Sequence, residues 1–119
     1  MAKILIVDDS AISRKKLRAI LEAGNHEIVG EASDGAEALE KYQELSPDLV
    51  TMDITMPNID GIAALINIKQ YDSSARVVMI TALGKGEKIL EALNAGAKNY
   101  ITKPFEEHKI ISFIQEALE

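Results

Sequence analysis

The run Leu49-Val50-Thr51-Met52-Asp53, which continues as ITMPNIDG over residues 54–61, decides the fold of this chain. Strand-forming residues end there on a carboxylate, and neither Pro57 nor Gly61 suits the middle of a central strand. The pattern predicts that Asp53 lies where a buried strand emerges into a loop. A carboxylate in that position either caps a helix or belongs to the mouth of a reactive site.

A second strand-like segment near the N-terminus ends in the same way. The aliphatic residues Ile4 to Val7 are followed directly by Asp8 and Asp9, and continuous aliphatic runs are typical of parallel strands that are covered on both faces. Two such strands can bring the carboxylates of Asp8, Asp9 and Asp53 together. This combination favours the interpretation of Asp53 as part of a reactive site.

Composition limits the class of protein. The chain has 119 residues, of which 47% are hydrophobic and 27% charged, so we expect one globular domain with its own core. It contains no cysteine, which excludes disulfides and thiolate chemistry. The formal net charge of -6 argues against nucleic-acid binding, and no apolar run is long enough for a membrane span or a signal peptide. We therefore expect a cytoplasmic protein.

Apolar periodicity divides the chain into alternating strands and helices. Strands are predicted over residues 3–7, 28–32, 49–53, 77–81 and 100–102, and helices over 11–23, 87–94 and 106–118 and in the segments that follow Gly35 and Asp60. Ile12 and Ile66 are counted among the core-facing positions of their helices, and Arg14 among the solvent-facing positions. The repeat of roughly 20–25 residues matches the βαβ unit.

This alternation predicts an α/β fold with a doubly wound, five-stranded parallel sheet. Since crossover connections are right-handed, helices cover both faces only if the winding reverses once. With the first strand beside the third, the order is 2-1-3-4-5, a flavodoxin-like (βα)5 arrangement in which ligands bind beyond the carboxyl ends of the strands. Side chains suited to a site follow or end strands at that edge: Asp8, Asp9, Asp53, Thr81 and Lys103.

These residue types permit metal-assisted phosphoryl chemistry. Clustered carboxylates repel unless a cation or a proton joins them, and a set of oxygen donors favours Mg²⁺ or Mn²⁺ over Zn²⁺. An aspartate can act as a nucleophile and form an acyl phosphate. The ammonium group of Lys103 and the hydroxyl group of Thr81 suit the phosphoryl oxygens.

The chain resembles the receiver domain of two-component response regulators, the CheY-like family, from Lys3 to the last helix. The motifs that carry this resemblance are Asp8-Asp9 after an aliphatic strand, Met52-Asp53 with Met56-Pro57 and Asp60-Gly61, Thr81-Ala82, and Lys103-Pro104-Phe105. The resemblance implies a receiver domain over residues 1–119, and the strand order given above depends in part on it.

The resemblance also implies a role for each site residue. Asp53 is the expected phosphoacceptor, Asp9 and Asp53 are expected metal ligands, Asp8 is a second and water-mediated ligand, and the backbone carbonyl of Thr55 completes the set. Thr81 with Ala82 and Lys103 are expected to contact the phosphoryl group, and the Lys103-Pro104 bond is expected to be cis. Thr55 and Leu83 are expected to flank the water that hydrolyses the acyl phosphate.

A switch and an output face follow from the same resemblance. Tyr100 is expected to turn inward as Thr81 moves toward the phosphoryl group. Ile89, Tyr100, Thr102 and Phe113 are expected on the output face formed by the fourth helix, fifth strand and fifth helix. For Ile110 the choice between this face and the core stays open.

The expected function is that of a switch that is phosphorylated by a histidine kinase or a phosphotransfer protein and then changes its affinity for a downstream protein. It catalyses only its own Mg²⁺-dependent phosphorylation and dephosphorylation, and it is a monomer or dimerises when phosphorylated. Because the chain stops after the fifth helix, a free-standing regulator, as in chemotaxis or a phosphorelay, is favoured over a fragment of a longer transcription factor.

Two other protein classes share parts of this pattern. A haloacid-dehalogenase-type phosphatase also uses an aspartyl nucleophile with Mg²⁺, but its acids are spaced D-x-D after the first strand, whereas Asp8 and Asp9 are adjacent. A flavodoxin-type electron carrier requires a loop rich in hydroxyl groups and glycine after that strand, and the two aspartates would repel the flavin phosphate.

Overall fold

In the described part of the chain, five strands alternate with five helices, as the periodicity predicted. The computed structural model describes residues 2–82 and 86–119. The elements are β1 (Lys3–Val7), α1 (Ala11–Ala23), β2 (Glu27–Ala32), α2 (Gly35–Leu45), β3 (Leu49–Asp53), α3 (Gly61–Tyr71), β4 (Val77–Ala82), α4 (Gly86–Asn94), β5 (Asn99–Lys103) and α5 (Glu107–Leu118). None of the helices in these ranges combines the length and hydropathy that crossing a membrane requires.

The strands form one parallel sheet in the order β2-β1-β3-β4-β5. This is the predicted order, and it places β1 beside β3 at the centre, where the winding reverses. All residues of β3 are buried, which explains why its sequence lacks the polar alternation of a half-exposed strand. The carboxyl ends of β1, β3, β4 and β5 therefore meet at one rim.

Two hydrophobic clusters cover the two faces of the sheet. On one face α1 and α5 pack through Leu17, Leu21, Ile110 and Ile114. On the other face α2, α3 and α4 contribute a larger cluster around Leu65 and its neighbours. Ile110 is fully buried, which resolves the choice left open by the sequence in favour of the core.

Side-chain caps fix the helix starts that follow β1 and β3. The Ser10 hydroxyl accepts a hydrogen bond from the Ser13 amide at 3.2 Å, and Asp60 Oδ1 accepts one from the Ala63 amide at 2.9 Å. Each cap satisfies an otherwise unpaired backbone N–H in the first helical turn. The loops at the rim are therefore tied to their helices at both of these positions.

Two residues that we assigned to the core are exposed. Ile12 is 71% exposed and Ile66 is 41% exposed. At 3.6 residues per turn, Ile12 lies roughly 140° around α1 from Leu17, so the inward position of the first turn falls on Arg14 instead. In α3 the buried stripe runs through Ile62, Leu65 and Ile68 and leaves Ile66 to one side.

Adjacent residues of α3 should respond differently to truncation. Leu65→Ala removes a fully buried side chain and should lower the free energy of unfolding by about 2–5 kcal/mol. Ile66→Ala, on the same helix, should change it by less than about 1 kcal/mol. Urea unfolding followed by circular dichroism measures both, and equal losses for the two variants would contradict the burial pattern.

Candidate functional site

The strand register brings the acidic residues after β1 and β3 to the same rim. Val7 lies opposite Met52 in the β1–β3 pair, so the residue that follows each is an aspartate at the same edge. Carboxylate oxygens of Asp8, Asp9 and Asp53 lie within 4.8 Å of one another. The sequence grouped these carboxylates correctly. Asp8 and Asp53 are buried, whereas Asp9 is open to solvent.

Lys103 brings a positive charge to this rim from the end of β5. Its Nζ atom lies 3.0 Å from Oδ2 of Asp8 and 3.4 Å from Oδ2 of Asp53. One ammonium group therefore contacts both of the buried carboxylates. The Lys103-Pro104 peptide bond is cis, as the resemblance implied.

Burial and like charge perturb the ionisation of this group of residues. Burial and then the neighbouring Asp8 carboxylate raise the pKa of Asp53 to about 6, against the opposing effect of Lys103. Burial alone would lower the pKa of Lys103, but its hydrogen bond to Asp8 and the charges of both carboxylates raise it on balance. Among the described residues, the three carboxylates outnumber the ammonium group of Lys103, so together these side chains carry more negative than positive charge.

The donor atoms fit a hard divalent cation. The clustered ligands are all carboxylate oxygens, which is the donor type that Mg²⁺ and Mn²⁺ prefer. A cation here would also offset the repulsion from Asp8 that contributes to the raised pKa of Asp53. Asp9 is exposed and so remains accessible to a hydrated ion.

The remaining predicted site residues surround this rim. Thr81 is buried at the end of β4, and its hydroxyl donates a hydrogen bond of 3.1 Å to the carbonyl of Ala82. The backbone amide of Thr55 donates to Oδ1 of Asp53 at 3.3 Å. Thr55 and Ala82 are exposed. Leu83, to which we assigned a place beside the hydrolytic water, lies outside the described residues.

Tyr100 lies on a separate surface at the edge strand β5. Its side chain is 39% exposed and lines a surface cavity of about 350 Å³ together with Thr102 and Phe113. Ile89 differs from these residues, because it is partly buried and packs against the cluster under α4. Three of the four residues predicted for an output face thus line one cavity.

Gly61 supports the site in a way that the sequence did not reveal. A Cβ atom at this position would overlap the backbone carbonyl group of Asp53 and would lie 2.8 Å from Cα of Ile54. The Gly61 amide donates a hydrogen bond of 2.8 Å to the carbonyl of Ile54. The start of α3 therefore packs directly on the backbone that carries Asp53, and only glycine allows this approach.

The comparison with protein families decides what kind of molecule carries this rim. Residues 4–115 match the family model of the response regulator receiver domain. The chain belongs to the response regulator receiver family. This receiver is 50% identical over 116 residues to the chemotaxis protein CheY of Bacillus subtilis, a match that covers 98% of this chain and 97% of that protein. It is 43% identical over 114 residues to CheY of Thermotoga maritima, with coverage of 96% and 95%.

Solved structures agree with the family match. The CheX-CheY-BeF3-Mg²⁺ complex from Borrelia burgdorferi contains a chain that superposes on this receiver with a TM-score of 0.94 at 41% identity, covering 98% of this chain and 89% of that one. The protein is thus a CheY-type receiver of two-component signal transduction, and it acts as a phosphoacceptor switch. An aspartyl phosphatase of another family is not favoured.

Substitution of Gly61 should destabilise the receiver. Gly61→Ala forces a methyl group onto the Asp53 backbone, so the free energy of unfolding should fall by about 1–3 kcal/mol or more. Gly86→Ala is the matched control, since a Cβ atom there meets no atom of the described residues within 4 Å, and it should be neutral or slightly stabilising. Thermal unfolding of the two variants tests this, and an unchanged Gly61→Ala variant would contradict the close approach.

Replacement of Asp53 by Asn should stabilise the metal-free protein at neutral and mildly alkaline pH. Because the folded-state pKa of Asp53 is raised to about 6, its protonation adds stability that is present below the unfolded-state pKa and is lost as the pH rises through about 6. The Asn variant does not undergo this loss. The free energy of unfolding of the variant should therefore exceed that of the wild type by a margin that grows from the unfolded-state pKa to about pH 6, where it reaches the order of 1–3 kcal/mol.

Urea unfolding in the presence of a chelator measures this difference between variant and wild type across the pH range. Asp48→Asn is a suitable control, because Asp48 is an exposed aspartate that precedes β3 at its opposite end. It should show no such gain. An Asp53→Asn variant that is less stable than the wild type above the folded-state pKa would contradict the electrostatic account.

Proposed function

We propose that Asp53 of this receiver accepts a phosphoryl group from a phosphohistidine on a histidine kinase or a phosphotransfer protein. The observation that carries the proposal is the buried carboxylate of Asp53, which has carboxylate oxygens of Asp8 and Asp9 within 4.8 Å and the Lys103 ammonium 3.4 Å away. A nucleophilic oxygen next to a cation site and a fixed positive charge is the arrangement that phosphoryl transfer requires.

The proposed direct ligands of Mg²⁺ are Asp9, Asp53 and the backbone carbonyl of Thr55. Asp8 is a ligand through water, and Mn²⁺ can substitute for Mg²⁺. When bound, the ion supplies positive charge for the phosphoryl oxygens. This ligand set agrees with the oxygen donors that cluster at the rim. It also leaves Oδ2 of Asp53 beside Lys103.

The transfer step is an in-line displacement at phosphorus. An oxygen of Asp53 forms the new P–O bond as the P–N bond to the donor imidazole breaks, and the imidazole leaves with the electron pair and takes up a proton. The Lys103 ammonium and the Thr81 hydroxyl bind oxygens of the transferred group. The receiver itself supplies these groups, so we propose that it catalyses its own phosphorylation and dephosphorylation.

Thr81, Ala82 and Tyr100 are the proposed links between this rim and the output face. The Thr81 hydroxyl is bonded to the Ala82 carbonyl, so binding a phosphoryl oxygen requires it to exchange that partner. Such an exchange would alter the end of β4, which pairs with β5 at Thr102. Tyr100, on the same strand, would respond by moving inward and changing the surface it shares with Thr102 and Phe113.

A downstream protein is the proposed reader of that surface. The CheY relative from Borrelia burgdorferi was solved with CheX, BeF3 and Mg²⁺, which supports a protein partner for this receiver as well. We place the receiver in the cytoplasm with its kinase, as a monomer or as a dimer formed on phosphorylation, with no nucleic-acid contact through this domain. The proposed pathway is chemotaxis, in line with the named relatives.

Intact mass measurement after incubation with acetyl phosphate and Mg²⁺ tests the phosphoacceptor. The wild-type receiver should gain one phosphoryl group. No adduct should form when the incubation contains a chelator instead of Mg²⁺. Asp53→Asn should gain none, because no carboxylate oxygen remains at that position. Asp48→Asn, the same substitution before β3, should be phosphorylated like the wild type. An adduct of equal yield on Asp53→Asn would exclude Asp53 as the acceptor.

A further inference from the structure

Arg14 reaches from α1 to the backbone of the acidic rim. Its Nη1 atom donates a hydrogen bond of 2.6 Å to the backbone carbonyl of Asp8. We had assigned Arg14 to the solvent face of α1, but its side chain is only 19% exposed. It occupies the inward position of the first helical turn, one turn before Leu17 on the same stripe.

The peptide group that Arg14 contacts joins Asp8 to Asp9. The Asp8 amide donates to the carbonyl of Ala32 at 3.0 Å, and the Asp8 carboxylate is held by the Ser10 amide and by Lys103. Asp9 differs, since within residues 2–82 and 86–119 its carboxylate is exposed and accepts no hydrogen bond. The Asp8-Asp9 peptide, whose carbonyl accepts the hydrogen bond from Arg14, directly precedes the residue that carries this carboxylate.

Glu31 on β2 fixes the guanidinium group that holds this peptide. Its Oε1 atom accepts from Nε of Arg14 at 2.9 Å, and its Oε2 atom accepts from Arg18 at 2.9 Å. Burial alone would raise the pKa of Glu31, but the hydrogen bonds and charges of Arg18 and Arg14 lower it on balance. One nitrogen of Arg14 thus donates to the ionised carboxylate of Glu31 and another donates to the Asp8 carbonyl. The planar guanidinium group suits such a pair of hydrogen bonds.

We infer that Arg14 is a positioning residue for the cation site, which orients Asp9 through the backbone carbonyl of Asp8 while Glu31 holds the guanidinium in place. This inference rests on the proposed function, because it concerns the same cation. It assigns a role to a residue that supplies no ligand atom. Outer contacts of this kind typically change metal affinity by about 10–100-fold.

The sign of the effect separates positioning from simple charge. Arg14 is positively charged, so its loss should strengthen cation binding if only Coulomb interactions matter. If Arg14 positions Asp9, its loss should weaken binding in spite of that gain. Arg18 is the matched control, because it also carries one charge and binds Glu31 but makes no hydrogen bond to Asp8 among the described contacts.

Mn²⁺ titration followed by electron paramagnetic resonance of the free ion tests the inference. Arg14→Met keeps the length of the side chain and should weaken Mn²⁺ binding about 10-fold, whereas Arg18→Met should leave it equal or slightly tighter. Arg14→Lys retains a donor and should recover part of the affinity. Melting temperatures of the metal-free variants show whether each is folded.

Each outcome of this titration is decisive. Weaker binding by a folded Arg14→Met than by Arg18→Met supports positioning, with or without partial recovery in Arg14→Lys. If Arg14→Met does not fold, weaker binding by Arg14→Lys than by Arg18→Met supports it instead. Binding by Arg14→Met that is equal to or tighter than that of the wild type overturns it and leaves the proposed function intact. Equal weakening in the two Met variants also overturns it. Absence of Mn²⁺ binding by the wild type overturns the cation site and this inference together.

Discussion

Repulsion among carboxylates at one rim of the sheet is the constraint on which the rest of the site depends. Asp8 and Asp53 are buried next to each other, and a poorly screened environment makes like charges repel more strongly than in water. The ammonium group of Lys103 offsets part of this repulsion. Burial, and then the Asp8 carboxylate, still raise the pKa of Asp53 to about 6 against the effect of Lys103. Charge compensation and nucleophile ionisation are therefore linked in this receiver.

The sequence predicted the fold and the principal side chains of the rim because both depend on local patterns. An aliphatic run that ends on a carboxylate determines where a strand stops and what it carries there, and the alternation of strands with helices determines the sheet. Asp8, Asp9 and Asp53 could be grouped on these grounds, and the order 2-1-3-4-5 followed with the help of the family resemblance.

Other features depend on tertiary neighbours that no local pattern contains. Arg14 was assigned to the helical face opposite the apolar residues, but in the first turn of α1 it reaches Glu31 on β2. Ile12 was assigned to the same helical face as Leu17, although the helical phase turns it outward. The close approach of Gly61 to Asp53 requires knowledge of how the loop after β3 returns. In each case the phase or the path of the chain overrides the preference of the residue type.

The two hydrophobic clusters are divided by the sheet, with α1 and α5 on one side and α2, α3 and α4 on the other. The backbone of the strands lies between the side chains of one cluster and those of the other. Mutations that accumulate on one side are thus shielded from the packing of the opposite side. After gene duplication, the helices on one face of the sheet can change in sequence while those on the other face change little. Recognition of new proteins can therefore evolve without repacking of both clusters.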